Sequence, residues 1–190
     1  MDHQDFPLHP DHRADLNKSG LSEDTIRHLR ISAVRPHDIK LTGVLSAYRL
    51  PYYDLDGKPL DFERWRLFPP IVTADGHTRK YHQAAGTTPY LYLPTFLDWR
   101  AVAADASRLL IITEGEKKAA AGCQGGLIAA GNSGVWCWRM KLEHGERLFF
   151  QNWTSLCGQG GGLKSCLILM RGVQTRSCRC WQASMPWAWN

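Results

Sequence analysis

The sequence lacks three features that would assign it to a broad class at once. It has no run of 18 or more apolar residues, which excludes a membrane-spanning helix. Its N-terminus, MDHQDFPLHPDHRADL, has no apolar core segment, which excludes an ordinary secretory signal. The six cysteines show no paired CxxC spacing, so the usual zinc site is not expected. These absences predict a cytoplasmic protein without a membrane partner, and a disulfide framework would contradict that location.

Acidic residues are absent from the C-terminal part of the chain. The 190 residues carry a formal net charge of +5. Residues 1–150 hold 19 Lys/Arg and all 18 Asp/Glu, whereas residues 151–190 hold four Lys/Arg and no acid. Most of the net positive charge therefore lies in residues 151–190. The net charge is for this reason only weak support for a nucleic-acid groove in residues 1–150. The tail also holds four of the six cysteines and four of the eight tryptophans, with no regular period.

The length corresponds to about one domain, and the residue pattern divides it into four segments. We predict a helical N-terminal segment over residues 1–43 and a strand-rich, antiparallel segment over 44–100. A partial parallel-sheet unit is predicted over 101–145, followed by an irregular tail over 146–190. In the first segment, Ser22 is expected to cap the second of two short helices. Packing without chemistry is the simplest role for that hairpin.

The strand-rich segment carries basic side chains in a pattern typical of a β-sheet. Turn signals, Asp-Gly at residues 56–57 and 75–76, separate its strands. Alternation in FERWRLF places Arg64 and Arg66 on one face, and Lys80 follows the second turn. Two such strands could present Arg64, Arg66 and Lys80 to phosphates. The alternative is that they are solvent-facing charges on a half-buried antiparallel sheet.

The stretch LLIITEGEKK ends an apolar strand in a cluster of charges. The pattern around it predicts a strand over 108–113, a turn at Glu114-Gly115, a helix over 116–123, a strand over 127–130 and a Gly-rich loop over 131–134. Such a unit builds a parallel sheet. Glu114 is then expected at the carboxyl end of a strand, where α/β folds assemble their sites. A carboxylate there can hold Mg²⁺ or act as a general base.

The motif ITEGEKKA resembles the Glu-Gly motif of the Toprim domain, shared by bacterial-type primases, phage primase-helicases, topoisomerases and small nucleases. More narrowly, residues 11–139 resemble a Toprim-related domain of unknown function found in phage, plasmid and integrative-element proteins beside primase or helicase modules. The similarity lies in DLNKSGLSEDTI, RWRLFPP, RKYHQ, ITEGEKKA and GNSGVWCW. It implies an α/β fold: a truncated Toprim-like parallel sheet with flanking helices, preceded by a helical hairpin and a small antiparallel sheet.

The same resemblance implies roles for individual residues. Glu114 matches the Toprim glutamate, a general acid/base or metal ligand, and Gly115 matches the turn glycine. Glu116 is the further candidate ligand for Mg²⁺ or Mn²⁺. Candidate phosphate contacts are Arg64, Arg66, Lys80, Tyr81, Lys117 and Lys118. DNA or RNA is the implied partner, together with a helicase or ATPase module.

One part of the Toprim pattern, a DxD pair on a following strand, is missing, because no Asp or Glu follows residue 146. Either the chain is not an active enzyme or its end has been lost. Regrouping the codons of residues 165–171 by one base permits VFDSDA, an apolar strand that ends in DSD. We hypothesise a one-base deletion, or an equivalent sequence error, near residues 146–151. The tail would then be out-of-frame and disordered, and the sheet would lack its third strand.

Two function classes follow from these observations. The first is a primase-like domain of a mobile element, with metal-dependent nucleotidyl or phosphoryl transfer in the intact parent and an inactive product here. The second is a non-catalytic nucleic-acid-binding or interaction module, in which basic residues grip phosphates. A small domain without any activity is the third, simplest interpretation.

Overall fold

A computed structural model gives the fold of most of the chain. It describes residues 6–88, 90–105, 107–133, 139–141, 147–149, 156, 165–169 and 176–179. These residues form four helices, a four-stranded antiparallel sheet, a four-stranded mainly parallel sheet and one short hairpin. The expected α/β class, with an antiparallel sheet before a parallel one, is confirmed.

The N-terminal helical hairpin forms because its ends are marked in the sequence. Helix α1 spans Pro10–Asn17 and helix α2 spans Glu23–His28. The Ser22 hydroxyl accepts a hydrogen bond from the Thr25 N–H at 3.2 Å, as expected for a helix cap. The predicted two-helix hairpin is therefore confirmed.

The antiparallel sheet contains the strands β1 Ser32–Val34, β2 Ser46–Tyr53, β3 Pro59–Val72 and β4 Thr78–His82. They lie side by side in the order β1-β2-β3-β4. Both predicted Asp-Gly turns are present, and they are closed by backbone hydrogen bonds from Asp54 to Lys58 and from Thr73 to His77, each 2.9 Å long.

Both faces of this sheet are covered, which the alternation of residues alone did not reveal. Phe62 packs on one face with the helical hairpin, whereas Trp65 and Leu67 pack on the other face with Val34 and Ile39. A strand buried on both faces has no solvent-facing side for its polar residues, so these must find partners inside the protein.

The second sheet contains the predicted strand–helix–strand unit. After helix α3, Trp99–Ala104, come strand β5, Leu109–Glu114, helix α4, Glu116–Gln124, and strand β6, Ala129–Asn132. Strands β5 and β6 are parallel, with Glu114 opposite Asn132. The unit is confirmed, although β5 begins one residue and β6 two residues later than predicted. Residues 131 and 132 therefore belong to a strand and not to the expected loop.

The expectation that this sheet lacks its third strand is wrong. Strand β9, Ser165–Leu169, pairs in parallel with β5, and strand β10, Arg176–Arg179, pairs antiparallel with β9. Strand pairing uses backbone groups, so the apolar segment SCLIL can occupy this place without any carboxylate. Strands β7, Arg139–Lys141, and β8, Arg147–Phe149, form the separate hairpin. Leu156 of the tail is also described, and it is fully buried in the cluster that contains Val102 and Leu110. The predicted disorder applies also to the rest of the tail, which lies outside the described residues.

Helix α4 connects the two sheets. Ala119 and Ala120 are buried in the same cluster as Leu16 of α1 and Tyr48 of β2. Because only Gly115 separates Glu114 from the start of α4, this packing brings the end of β5 against the antiparallel sheet. No helix in the described part of the chain is long and apolar enough to span a bilayer.

Candidate functional site

The turn at residues 114–116 is the centre of the candidate site. Glu114 is the last residue of β5, and Gly115 has φ +92°, a conformation that side-chain-bearing residues rarely adopt. The Gly115 N–H donates to the Asn132 carbonyl at 2.6 Å, which ties the turn to β6. The Glu114 carboxylate is half-buried, and within the described ranges no donor is hydrogen-bonded to it.

Gly131 permits a close approach of β6 to this turn. A Cβ atom there would lie 3.0 Å from the Gly115 carbonyl oxygen and 3.2 Å from both the Glu116 Cα and the Tyr92 Cβ. Tyr92 and Gly131 also exchange two backbone hydrogen bonds of 2.8 Å. A side chain at residue 131 would therefore crowd these atoms, two of which belong to the backbone, and the turn or β6 would have to shift by a few tenths of an ångström.

Glu116, the first residue of α4, is held in a buried ion pair. Its side chain is 2% exposed, and its Oε1 accepts hydrogen bonds from the Tyr52 hydroxyl at 2.6 Å and from Arg64 Nη1 at 2.5 Å. Burial by itself would lower the pKa of the Arg64 guanidinium. The negative charge of the adjacent Glu116 has the larger effect, so the pKa is raised above its ordinary value. Arg64 Nη1 also donates to the Ser133 carbonyl at 3.3 Å.

A second charged cluster surrounds Asp15 of α1. Its carboxylate accepts from Lys117 Nζ at 2.8 Å and from the Tyr48 hydroxyl at 2.7 Å, and Arg66 Nη2 lies 3.5 Å away. Burial alone would raise the pKa of Asp15, but the hydrogen bonds from Lys117 and Tyr48 lower it below its ordinary value. Helix α1, strand β3 and helix α4 therefore meet at this carboxylate.

Tyr81 of β4 lies between the two clusters. The guanidinium carbons of Arg64 and Arg66 lie 5.1 and 5.6 Å from the centre of its ring, and that of Arg66 lies 4.5 Å from the centre of the Phe68 ring. These are cation–π distances. Burial raises the pKa of Tyr81 above its ordinary value, so the ring carries no charge that would oppose the two guanidinium groups or attract them as an ion pair.

The structure thus separates the predicted basic residues into two groups. Arg64 and Arg66 are each 11% exposed and paired with carboxylates, so the alternative that they are solvent-facing charges is wrong. Lys117 is paired in the same way. Lys80 and Lys118 are exposed, as a phosphate contact requires.

Sequence reasoning missed several residues that hold the site together. The sequence pattern predicts only packing for the helical hairpin, yet Asp15 of α1 joins the site. Tyr48 and Tyr52 lie in a largely apolar strand segment with no charge pattern, and the sequence predicts a loop at Gly131. No local signal distinguishes these residues, because each acquires its role through contacts with residues distant in sequence.

The described residues do not fit a divalent metal ion. Mg²⁺ prefers several oxygen ligands, and no group of three or more His, Cys, Asp or Glu side chains suited to a metal occurs among the residues that the structure describes. Glu116 already accepts from two donors. Of the two predicted metal ligands, Glu116 is therefore engaged in hydrogen bonds, and Glu114 is the one whose carboxylate is accessible to an ion.

Comparison with known proteins gives one family and a partial structural likeness. A family described as a domain of unknown function, DUF3854, matches residues 98–157, which include β5, α4 and β6. No curated protein matches the chain.

Among solved structures, the DnaG catalytic core is 19% identical with a TM-score of 0.45 over 67% of this chain and 48% of that one. The DnaG primase catalytic domain bound to ssDNA is 18% identical, with a TM-score of 0.43 over 66% of this chain and 49% of that one. The E. coli primase catalytic core is 19% identical, with a TM-score of 0.41 over 65% and 47%. The chain spans about half the length of these structures.

Proposed function

We propose that this chain is a Toprim-related, primase-like domain that processes nucleic acid, from a cytoplasmic protein encoded by a mobile element. The observation that carries the proposal is Glu114 at the carboxyl end of a parallel strand, followed by a glycine turn, with no donor from the described residues on its carboxylate. A carboxylate in that place can serve as general base or ligand in phosphoryl or nucleotidyl transfer.

For the chain in hand, binding without catalysis is the expected outcome. Transfer with Mg²⁺ or Mn²⁺ needs several carboxylates around the ion, and we assign that step to an intact parent with a DxD pair. The parallel pairing of β9 with β5 supports this assignment, because the off-frame motif covers residues 165–171 and Leu169 already lies opposite Thr113, the residue before Glu114. A helicase or ATPase module is the partner we propose for the parent.

Nucleic-acid binding is proposed to use the exposed lysines Lys80 and Lys118. We expect a fluorescein-labelled 20-nucleotide oligothymidylate to bind with an affinity that falls as salt rises, since phosphate contacts release counterions. Lys80→Gln and Lys118→Gln should each lower the salt dependence, measured by fluorescence anisotropy. An affinity that does not change between 50 and 300 mM salt would refute phosphate binding. The same assay with oligouridylate compares RNA with DNA.

Restoring the reading frame distinguishes the two function classes, because only the primase-like enzyme should then show metal-dependent nucleotide transfer. Insertion of one base near codon 147 should yield a longer protein with a DSD motif and Mg²⁺- or Mn²⁺-dependent nucleotide transfer, which Glu114→Gln abolishes. If the repaired protein binds the oligonucleotide but has no metal-dependent activity, the non-catalytic binding module is the correct class. A gene sequence that shows no such off-frame motif would refute the frameshift.

A further inference from the structure

Arg64 makes hydrogen bonds to two chain segments that flank the turn carrying Glu114. Arg64 Nη1 donates to the Glu116 carboxylate, which follows the turn, and to the Ser133 carbonyl, which follows β6. The Gly115 N–H donates to Asn132, the residue before Ser133. Arg64 therefore bridges the start of α4 and the end of β6. The contact between these two segments holds the turn that follows Glu114, and with it the orientation of Glu114 at the end of β5.

Tyr52 completes the arrangement from the neighbouring strand. Its hydroxyl donates to the same Glu116 oxygen as Arg64, and its ring contacts the rings of Phe62 and Tyr92 at 4.7 and 5.1 Å between centres. Both donors to Glu116 thus come from the antiparallel sheet, whereas Glu116 itself belongs to the parallel unit. The contact joins the two sheets at the candidate site.

Arg64 is poorly suited to bind a phosphate. To do so it would have to leave Glu116, and a carboxylate that is 2% exposed would then remain without a compensating charge. Removing one partner of a buried pair is strongly unfavourable. Lys80 is exposed, and within the described ranges no carboxylate is paired with it.

We propose that Arg64 and Glu116, with Tyr52, form a clamp that positions the Glu114 turn, and that Arg64 is a positioning residue and not a phosphate contact. The role of the positioned Glu114 rests on the proposed function. The clamp itself is tested independently of any nucleic acid.

Hydrogen–deuterium exchange at the Gly115 and Glu116 amides tests the clamp directly. Glu116→Gln and Arg64→Met should each accelerate exchange at Gly115 at least tenfold, because its bond to Asn132 opens more often. The double variant Arg64→Met/Glu116→Gln, which leaves no unpaired charge, should recover part of the protection. Arg27→Gln, which breaks an exposed ion pair with Asp24, should leave Gly115 unchanged.

If the single variants do not fold, Arg64→Lys supplies the test. It keeps the charge, but both bonds come from Arg64 Nη1, and the lysine ammonium sits on a shorter side chain that cannot reach Glu116 and Ser133 from the same place. Gly115 should therefore exchange faster while the hairpin α1–α2 stays protected. Gly115 exchange at the wild-type rate in folded Arg64→Lys and in the double variant would overturn the proposal.

Oligonucleotide binding separates positioning from phosphate contact. The double variant removes one positive and one negative charge, so the net charge does not change. We expect the slope of log Kd against log salt for the labelled oligothymidylate to stay at the wild-type value, while Lys80→Gln reduces it by about 0.7. An equal reduction in the double variant would show that Arg64 contacts phosphate. If the wild-type chain binds no oligonucleotide, the proposed function fails, and the exchange experiment still decides on the clamp.

Discussion

Replacing Gly131 by alanine places a methyl group into the closest contact between β6 and the candidate site. The new Cβ would meet the Gly115 oxygen at 3.0 Å and the Glu116 Cα and Tyr92 Cβ at 3.2 Å. The first two of these are backbone atoms, so no side-chain rotation relieves the overlap. Either β6 moves away from β5 or the Glu114 turn moves away from β6.

The cost follows from the behaviour of overpacked interiors. Adding one methyl group to a close-packed region typically destabilises a protein by about 1–3 kcal/mol. Lower entropy of the unfolded chain offsets this by about 0.4–1 kcal/mol. Subtracting the second range from the first gives a net loss of about 0–2.6 kcal/mol in the free energy of unfolding, centred on about 1.3 kcal/mol. For a urea m-value of about 2 kcal/mol/M, the central expectation is a fall of about 0.65 M in the midpoint.

Urea unfolding followed by tryptophan fluorescence measures this change. Gly125→Ala is the matched control, because its φ of −81° suits alanine and its nearest contact lies at 3.4 Å. That variant should be as stable as the wild type or slightly more so. If Gly131→Ala unfolds at the wild-type midpoint, the close approach of β6 to the turn is incorrect and the geometry of the site must be revised.

Three further predictions concern buried groups and the metal. Burial lowers the pKa of His12 from 6.5 to about 4, so the folded state binds fewer protons, and stability should fall by up to about 3 kcal/mol as pH drops from 6.5 to 4. Urea midpoints measured across that range should show less pH dependence for His12→Gln. The Tyr92 hydroxyl is buried without a described partner, so Tyr92→Phe should change the free energy of unfolding by less than about 0.5 kcal/mol. Tyr52→Phe loses the hydrogen bond to Glu116 and should cost about 1–3 kcal/mol. The same urea measurement checks both variants. Calorimetric titration of the 190-residue chain with MgCl₂ should give no saturable heat, since the described residues place no group of three or more metal-binding side chains around Glu114; tight binding would contradict this.

Local patterns were sufficient to predict the elements around the site. An apolar segment followed by Glu-Gly, an alanine-rich stretch and a glycine pair predicted β5, α4 and β6 within two residues, because strand and helix preferences act over short distances. The Ser22 cap and both Asp-Gly turns are equally local. The place of Glu114 at the end of a parallel strand follows from them.

The state of the charged residues was decided only by the tertiary structure. Alternation placed Arg64 and Arg66 on one face of β3, but whether that face meets water, phosphate or a carboxylate depends on what packs against it. Helix α4 brings Glu116 to Arg64, and α1 brings Asp15 to Arg66, across 52 and 51 residues of chain. Ion pairs depend on distance in space and on burial, neither of which a short stretch of sequence contains.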